Sequence, residues 1–161
     1  VRVFTAFAAF SACFAAGLYK SFLLKRRAVV LEELCRMVKS FSVEIRYTAP
    51  TLDELCGKSE GVFAEILNEC RKDSDIHAAW DSACAILSKK PYCSREEAEL
   101  LRNLGSSLGA SDIAGQLSIL EMYSEKLSDI SRTASEEAAG KGKLFRSVGM
   151  LCGIGAAVIA V

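Results

Sequence analysis

Proline is nearly missing from this chain. Pro50 and Pro91 are the two in 161 residues, and runs of β-branched residues are few. Both scarcities argue against a strand-rich fold and favour the helix. Net charge is missing as well, with 20 Lys and Arg against 20 Asp and Glu. A general nucleic-acid binder needs a basic excess for counterion release, so that class is set aside. There is one histidine, His77, and the seven cysteines (Cys13, Cys35, Cys56, Cys70, Cys84, Cys93 and Cys152) form no CxxC pair. Structural zinc sites use closely paired ligands, which this spacing does not supply. An odd cysteine count in apolar surroundings reads as buried, reduced thiols in a reducing compartment. No metal or cofactor is expected.

What the chain does have is 51% hydrophobic residues, concentrated at its two ends. Disorder is excluded, and the length is room for one domain. From Val3 to Tyr19 the sequence VFTAFAAFSACFAAGLY carries no charge. As a helix it measures about 26 Å, just under a hydrocarbon core, and Phe22, Leu23 and Leu24 extend it if Lys20 snorkels. Val148 to Val161 reads VGMLCGIGAAVIAV, with Gly149 and Gly153 four apart. That is about 21 Å, a span needing local thinning or close packing against another helix. A cleaved signal peptide needs a basic leader, and only Arg2 precedes the first run; Phe10-Ser11-Ala12-Cys13 is a faint lipoprotein box. An uncleaved anchor is the preferred reading. Lys20, Lys25, Arg26 and Arg27 follow the first run, and Lys141, Lys143 and Arg146 precede the second. Positive-inside places the intervening domain in the cytoplasm. The expected organisation is a transmembrane helix over 1–24, a cytoplasmic helical bundle over 25–146 and a short transmembrane helix over 147–161.

Between the ends, Leu31, Leu34, Cys35, Val38, Phe41 and Ile45 recur at helical spacing and continue the first helix to about Tyr47. The Ala49-Pro50 step stops it. Thr51-Leu52-Asp53-Glu54 is a capping box that opens a short helix, with Gly57 placed to close it. Helices follow over 62–71 (Phe63, Ile66, Leu67 and Cys70 on one face) and 76–87 (Ala79, Trp80, Ala83, Cys84 and Leu87). After Pro91, Ser94-Arg95-Glu96-Glu97 is a second capping box, for a helix to Leu108 with Gly109 at its C-cap. Ser111-Asp112 starts a last helix with Ile113, Leu117, Leu120, Leu127, Ile130 and Ala134 inward. The fold class is all-α, an up-and-down bundle between two terminal membrane helices.

Catalytic chemistry is not legible. No Walker loop, GxSxG, HExxH or dinucleotide fingerprint occurs. His77 and Cys84 are two helical turns, about 10 Å, apart, too far for a nucleophile and its base. Trp80 reads as a core anchor, Asp53, Glu54, Glu96 and Glu97 as helix-capping carboxylates, and Glu136, Glu137, Lys141 and Lys143 as a solvated face. A thiol enzyme would need Cys84 or another cysteine exposed with a depressed pKa.

Several stretches together resemble one family. They are Glu44-Ile45-Arg46-Tyr47-Thr48-Ala49-Pro50-Thr51-Leu52, Ala79-Trp80, Leu104-Gly105-Ser106-Ser107-Leu108-Gly109-Ala110-Ser111-Asp112 with Gln116-Leu117, and Lys143-Leu144-Phe145-Arg146-Ser147-Val148-Gly149 with Gly153. This pattern resembles the stage III sporulation protein AB family, which is similar to the inner-membrane platform protein of type II secretion and type IV pilus machines. The resemblance implies a component of the mother-cell complex that connects to the forespore during engulfment. It implies a secretion-type ATPase and other membrane proteins as partners, with no nucleic acid and no small-molecule substrate. The expected role is a non-enzymatic scaffold; the alternative is an unrelated membrane-anchored adaptor or sensor. Arg46, Tyr47, Gly109 and Asp112 are the candidate partner-binding residues: the first two because an aromatic beside a cation is enriched at interfaces, the last two because the long helices put the 108–112 turn at a candidate position away from the bilayer. The competing reading packs Tyr47 under the following helix and leaves Arg46 in solvent.

Overall fold

A computed structural model describes the backbone of residues 2–48, 50–72, 75–109 and 112–160. Towards the ends it describes the side chains of residues 8, 11–12, 14–48, 112–145, 147–148, 150–151 and 155. Six helices and no strand are found among the described residues: α1 (Arg2–Thr48), α2 (Leu52–Gly57), α3 (Val62–Cys70), α4 (Ile76–Leu87), α5 (Arg95–Ser107) and α6 (Ile113–Ala160). The chain divides into two compact units, 1–28 with 132–161 (unit 1) and 29–131 (unit 2).

Unit 2 is built on the α1 stripe expected from the spacing. Leu31, Leu34, Cys35, Val38, Phe41 and Ile45 are all buried, joined by Val30 and Met37. Both capping boxes are formed. Thr51 Oγ1 accepts from Glu54 N (3.3 Å) while the Glu54 carboxylate accepts from Thr51 N (3.1 Å). Ser94 and Glu97 make the same exchange at 3.1 and 2.8 Å. These pairs satisfy amide groups that a helix start otherwise leaves unbonded. α2 packs on α3, α3 on α4 and α4 on α5. Trp80 holds the centre of this stack: it is 1% exposed, meets Phe63 edge to face at 5.0 Å, and donates from Nε1 to the Leu101 carbonyl at 2.8 Å.

Two sequence expectations are corrected in unit 2. Gly57 is the last helical residue of α2, but the cap is Lys58 at a right-handed φ of −94°, so no glycine conformation is used there. The left-handed turn comes at Gly61 (φ 111°), the N-cap of α3. Here Glu33 of α1 accepts from Val62 N at 3.0 Å, and a Cβ on Gly61 would lie 2.8 Å from that carboxylate. Ile113 is 50% exposed rather than inward, and the buried stripe of α6 in this unit is Leu120, Tyr123 and Leu127. Ile113 shares their side of the helix but precedes the turns that the core covers. Leu117 and Ile130 are half-buried.

Unit 1 consists of the terminal parts of α1 and α6. Ser21 is buried, and a Cβ on Gly142 would meet its Oγ at 3.3 Å. Arg27 pairs with Glu137 at 3.1 Å across 110 residues of sequence, and Lys141 reaches the same carboxylate at 2.6 Å. The Lys141 hydrogen bond and charge, with Arg27 adding, hold Glu137 below the usual carboxylate range. Glu137 is therefore a junction between two helices and not merely part of a solvated face. Among the described residues no helix is long and apolar enough to cross a membrane. The side chains of Cys13, Gly149, Cys152 and Gly153, with much of both apolar runs, lie outside the described residues.

Candidate partner-binding surface

The first bend is built by local rules. Thr48 Oγ1 turns back to the Glu44 carbonyl at 2.9 Å in the last turn of α1. After Pro50 the Thr51 box starts α2. The second turn, between α5 and α6, ends α5 on Leu108 and uses Gly109 at φ +83°, as its glycine suggested. Asp112 then caps α6, accepting from Gly115 N at 3.1 Å. Ser111 lies outside the described residues.

The two turns are more than 50 residues apart in sequence, yet they share a hollow. It measures about 210 Å³ and is lined by Pro50, Thr51, Leu52, Leu55, Leu108, Gly109 and Gln116. A second, wider hollow of about 320 Å³ is lined by Lys39, Ser42, Val43 and Arg46 of α1 and by Leu117, Glu121 and Ser124 of α6. Gln116 and Leu117 are consecutive and point about 100° apart around α6, so the start of that helix separates the two hollows. Of the four candidate residues, Gly109 lines the first hollow and Arg46 the second; Tyr47 and Asp112 line neither. All four are exposed.

Tyr47 is 80% exposed, which overturns the reading that packs it under α2. Val43 (57%) and Ile113 (50%) are other large apolar side chains left in solvent on α1 and α6. Lys39 and Arg46 make no ion pair among the described residues, whereas Glu44 is engaged by Lys58 at 2.9 Å. Lys39, Val43 and Glu121 were not foreseen as site residues. The available signal was Val43, an apolar residue one turn from Lys39 on the otherwise polar face of α1.

The chemistry-bearing groups elsewhere are poorly placed for catalysis. Burial pushes the thiols of Cys56 and Cys84 up to about 12, so they stay protonated. Cys35 is also buried, Cys70 and Cys93 are half-buried, and none of the five is in a disulfide. His77 is exposed on the first turn of α4. Among the described residues no group of three or more His, Cys, Asp or Glu side chains is placed to hold a metal ion.

Comparison with known families matches residues 2–161 to stage III sporulation protein AB. The chain belongs to that family. The match covers the whole chain and establishes a sporulation-stage role. No curated protein and no solved structure matches it. Two of the family-like segments line the first hollow, the Pro50 bend and the Leu108-Gly109 turn. A third, Ala79-Trp80, meets Leu104-Gly105 at the start of the second in the core, where a Cβ on Gly105 would overlap the Trp80 indole.

Proposed function

We propose that the chain is a non-enzymatic platform of the sporulation complex, an up-and-down helical bundle held at the mother-cell membrane by both ends, with unit 2 in the cytoplasm docking a secretion-type ATPase. The observation that carries this reading is the paired hollow, where family-like segments meet beside Arg46, which makes no ion pair among the described residues, and the exposed Tyr47. Exposed aromatic and guanidinium groups anchor interfaces when a partner desolvates them. The family resemblance supplies the partner class.

The membrane part of the proposal is supported by the uncharged run 3–19 and the basic residues that border both apolar ends. Large apolar side chains in unit 1 also face outward, Phe22 at 61% and Leu151 at 67% exposure. The absence of an enzyme is supported by the protonated, buried thiols. Affinity purification of the full chain from sporulating membranes tests the proposal. Stoichiometric recovery of a secretion-type ATPase is expected; its absence under conditions that retain other membrane partners would favour the adaptor or sensor reading.

A further inference from the structure

The formal neutrality of the chain conceals a division of charge. Unit 1 contains nine Lys or Arg and two Glu, a net charge of +7, and unit 2 contains eleven Lys or Arg and eighteen Asp or Glu, a net charge of −7. No acidic residue occurs in 1–28 or in 138–161. The free cations of unit 1 are placed with its apolar surface. On α1, Leu18, Phe22 and Lys25 are exposed at spacings of four and three, with Tyr19 and Lys20 exposed alongside. On α6, Leu144, Val148 and Leu151 are exposed at spacings of four and three, with Lys143 and Phe145 exposed alongside. Lys20, Lys25 and Lys143 make no ion pair among the described residues.

We infer that unit 1 recognises anionic phospholipid headgroups, with Lys20, Lys25 and Lys143 as the contacting cations and the bordering Leu18, Tyr19, Phe22, Leu144 and Phe145 as the apolar side of the same boundary. The inference rests on the membrane reading above and adds a ligand class to it. A neutral bilayer satisfies the apolar stripes equally well but leaves the lysines unanswered. An acidic protein surface answers the lysines but not the apolar residues interleaved with them. An anionic bilayer surface answers both, because its negative surface potential attracts each Lys held within a Debye length of it.

The test uses the full chain reconstituted into phosphatidylcholine vesicles with a trace of spin-labelled phosphatidylglycerol or spin-labelled phosphatidylcholine. The motionally restricted lipid fraction is read by electron paramagnetic resonance. At low salt the phosphatidylglycerol probe should be restricted about two- to fivefold in preference to phosphatidylcholine, and high salt should abolish the preference. It should also disappear in Lys20→Gln/Lys25→Gln/Lys143→Gln and survive in the corresponding triple Lys→Arg variant. Equal restriction of the two probes in the wild type overturns the inference and leaves the membrane reading standing. A preference that persists in the Gln variant removes these lysines as the contacts. No restricted component with either probe removes both the inference and the membrane reading.

Discussion

Trp80 and Gly105 are packed so closely that the α5 backbone takes the place of a side chain: a Cβ on Gly105 would overlap Cδ1 and Nε1 of the indole. The same indole donates to the carbonyl of Leu101, one turn earlier on α5. The glycine therefore lets α4 and α5 approach until the tryptophan reaches a backbone acceptor. Gly105→Ala should destabilise the chain by about 2–3 kcal/mol through overpacking. Trp80→Phe, a shorter ring, should relieve part of that strain, so the double variant should lose less than the sum of the singles. Denaturant unfolding followed by circular dichroism measures all three; additive losses would show that the two residues do not oppose each other.

Gly109 and Gly61 both have positive φ, but they differ in surroundings. Nothing lies within 4 Å of a Cβ on Gly109, whereas one on Gly61 meets the Glu33 carboxylate at 2.8 Å. Gly109→Val should cost about 1–3 kcal/mol from backbone strain alone, and Gly109→Asn less, since Asn tolerates the left-handed region. Gly61→Ala should cost more than Gly109→Ala, because it also disturbs the acceptor of Val62 N. If Gly109→Val leaves the melting temperature unchanged yet abolishes sporulation, the turn is a contact site and not a structural one.

Arg46 lies in the wider hollow without an ion-pair partner among the described residues. Arg46→Glu is expected to weaken ATPase binding at least tenfold, about 1.4 kcal/mol, with helical content and melting unchanged. Lys39→Glu should act in the same direction from the same hollow. Unaltered affinity in both variants, measured by titration of purified components, would take this hollow out of the interface.

The raised thiols of Cys56 and Cys84 give stability a pH dependence of known sign. Well below pH 9 both thiols are protonated whether the chain is folded or not. Between pH 9 and about 12 the unfolded chain releases these protons and the folded one does not, so stability falls as pH rises. The slope approaches about 1.4 kcal/mol per pH unit per thiol. Cys56→Ala/Cys84→Ala should flatten it. At pH 8, a thiol reagent should modify the half-buried Cys70 and Cys93 before either of these.

The orientation is tested with a cysteine-free variant carrying one new cysteine on an exposed position of unit 2. A membrane-impermeant thiol reagent should leave it unlabelled in intact cells and label it after lysis. Labelling of intact cells would place unit 2 outside.

The helices and their caps were legible in the sequence because they depend on partners within four residues. Thr51 with Glu54, Ser94 with Glu97, and the apolar stripes of α1 and α4 are interactions a local pattern already contains. Gly109 was legible for the same reason: a helix ended and another began beside it. What only the tertiary structure decided is which distant backbones approach each other. Gly105 faces Trp80, Gly61 faces Glu33, and Gly57, which looked equally suited to a turn, takes no special conformation. The exposure of Ile113 and Tyr47 is of this kind too, because periodicity assigns a residue to a face of its helix but not to the length of helix that the core covers. Charge shows the same limit: the sequence adds up to zero, and the partition into +7 and −7 emerges only when folding joins the two ends of the chain into one unit.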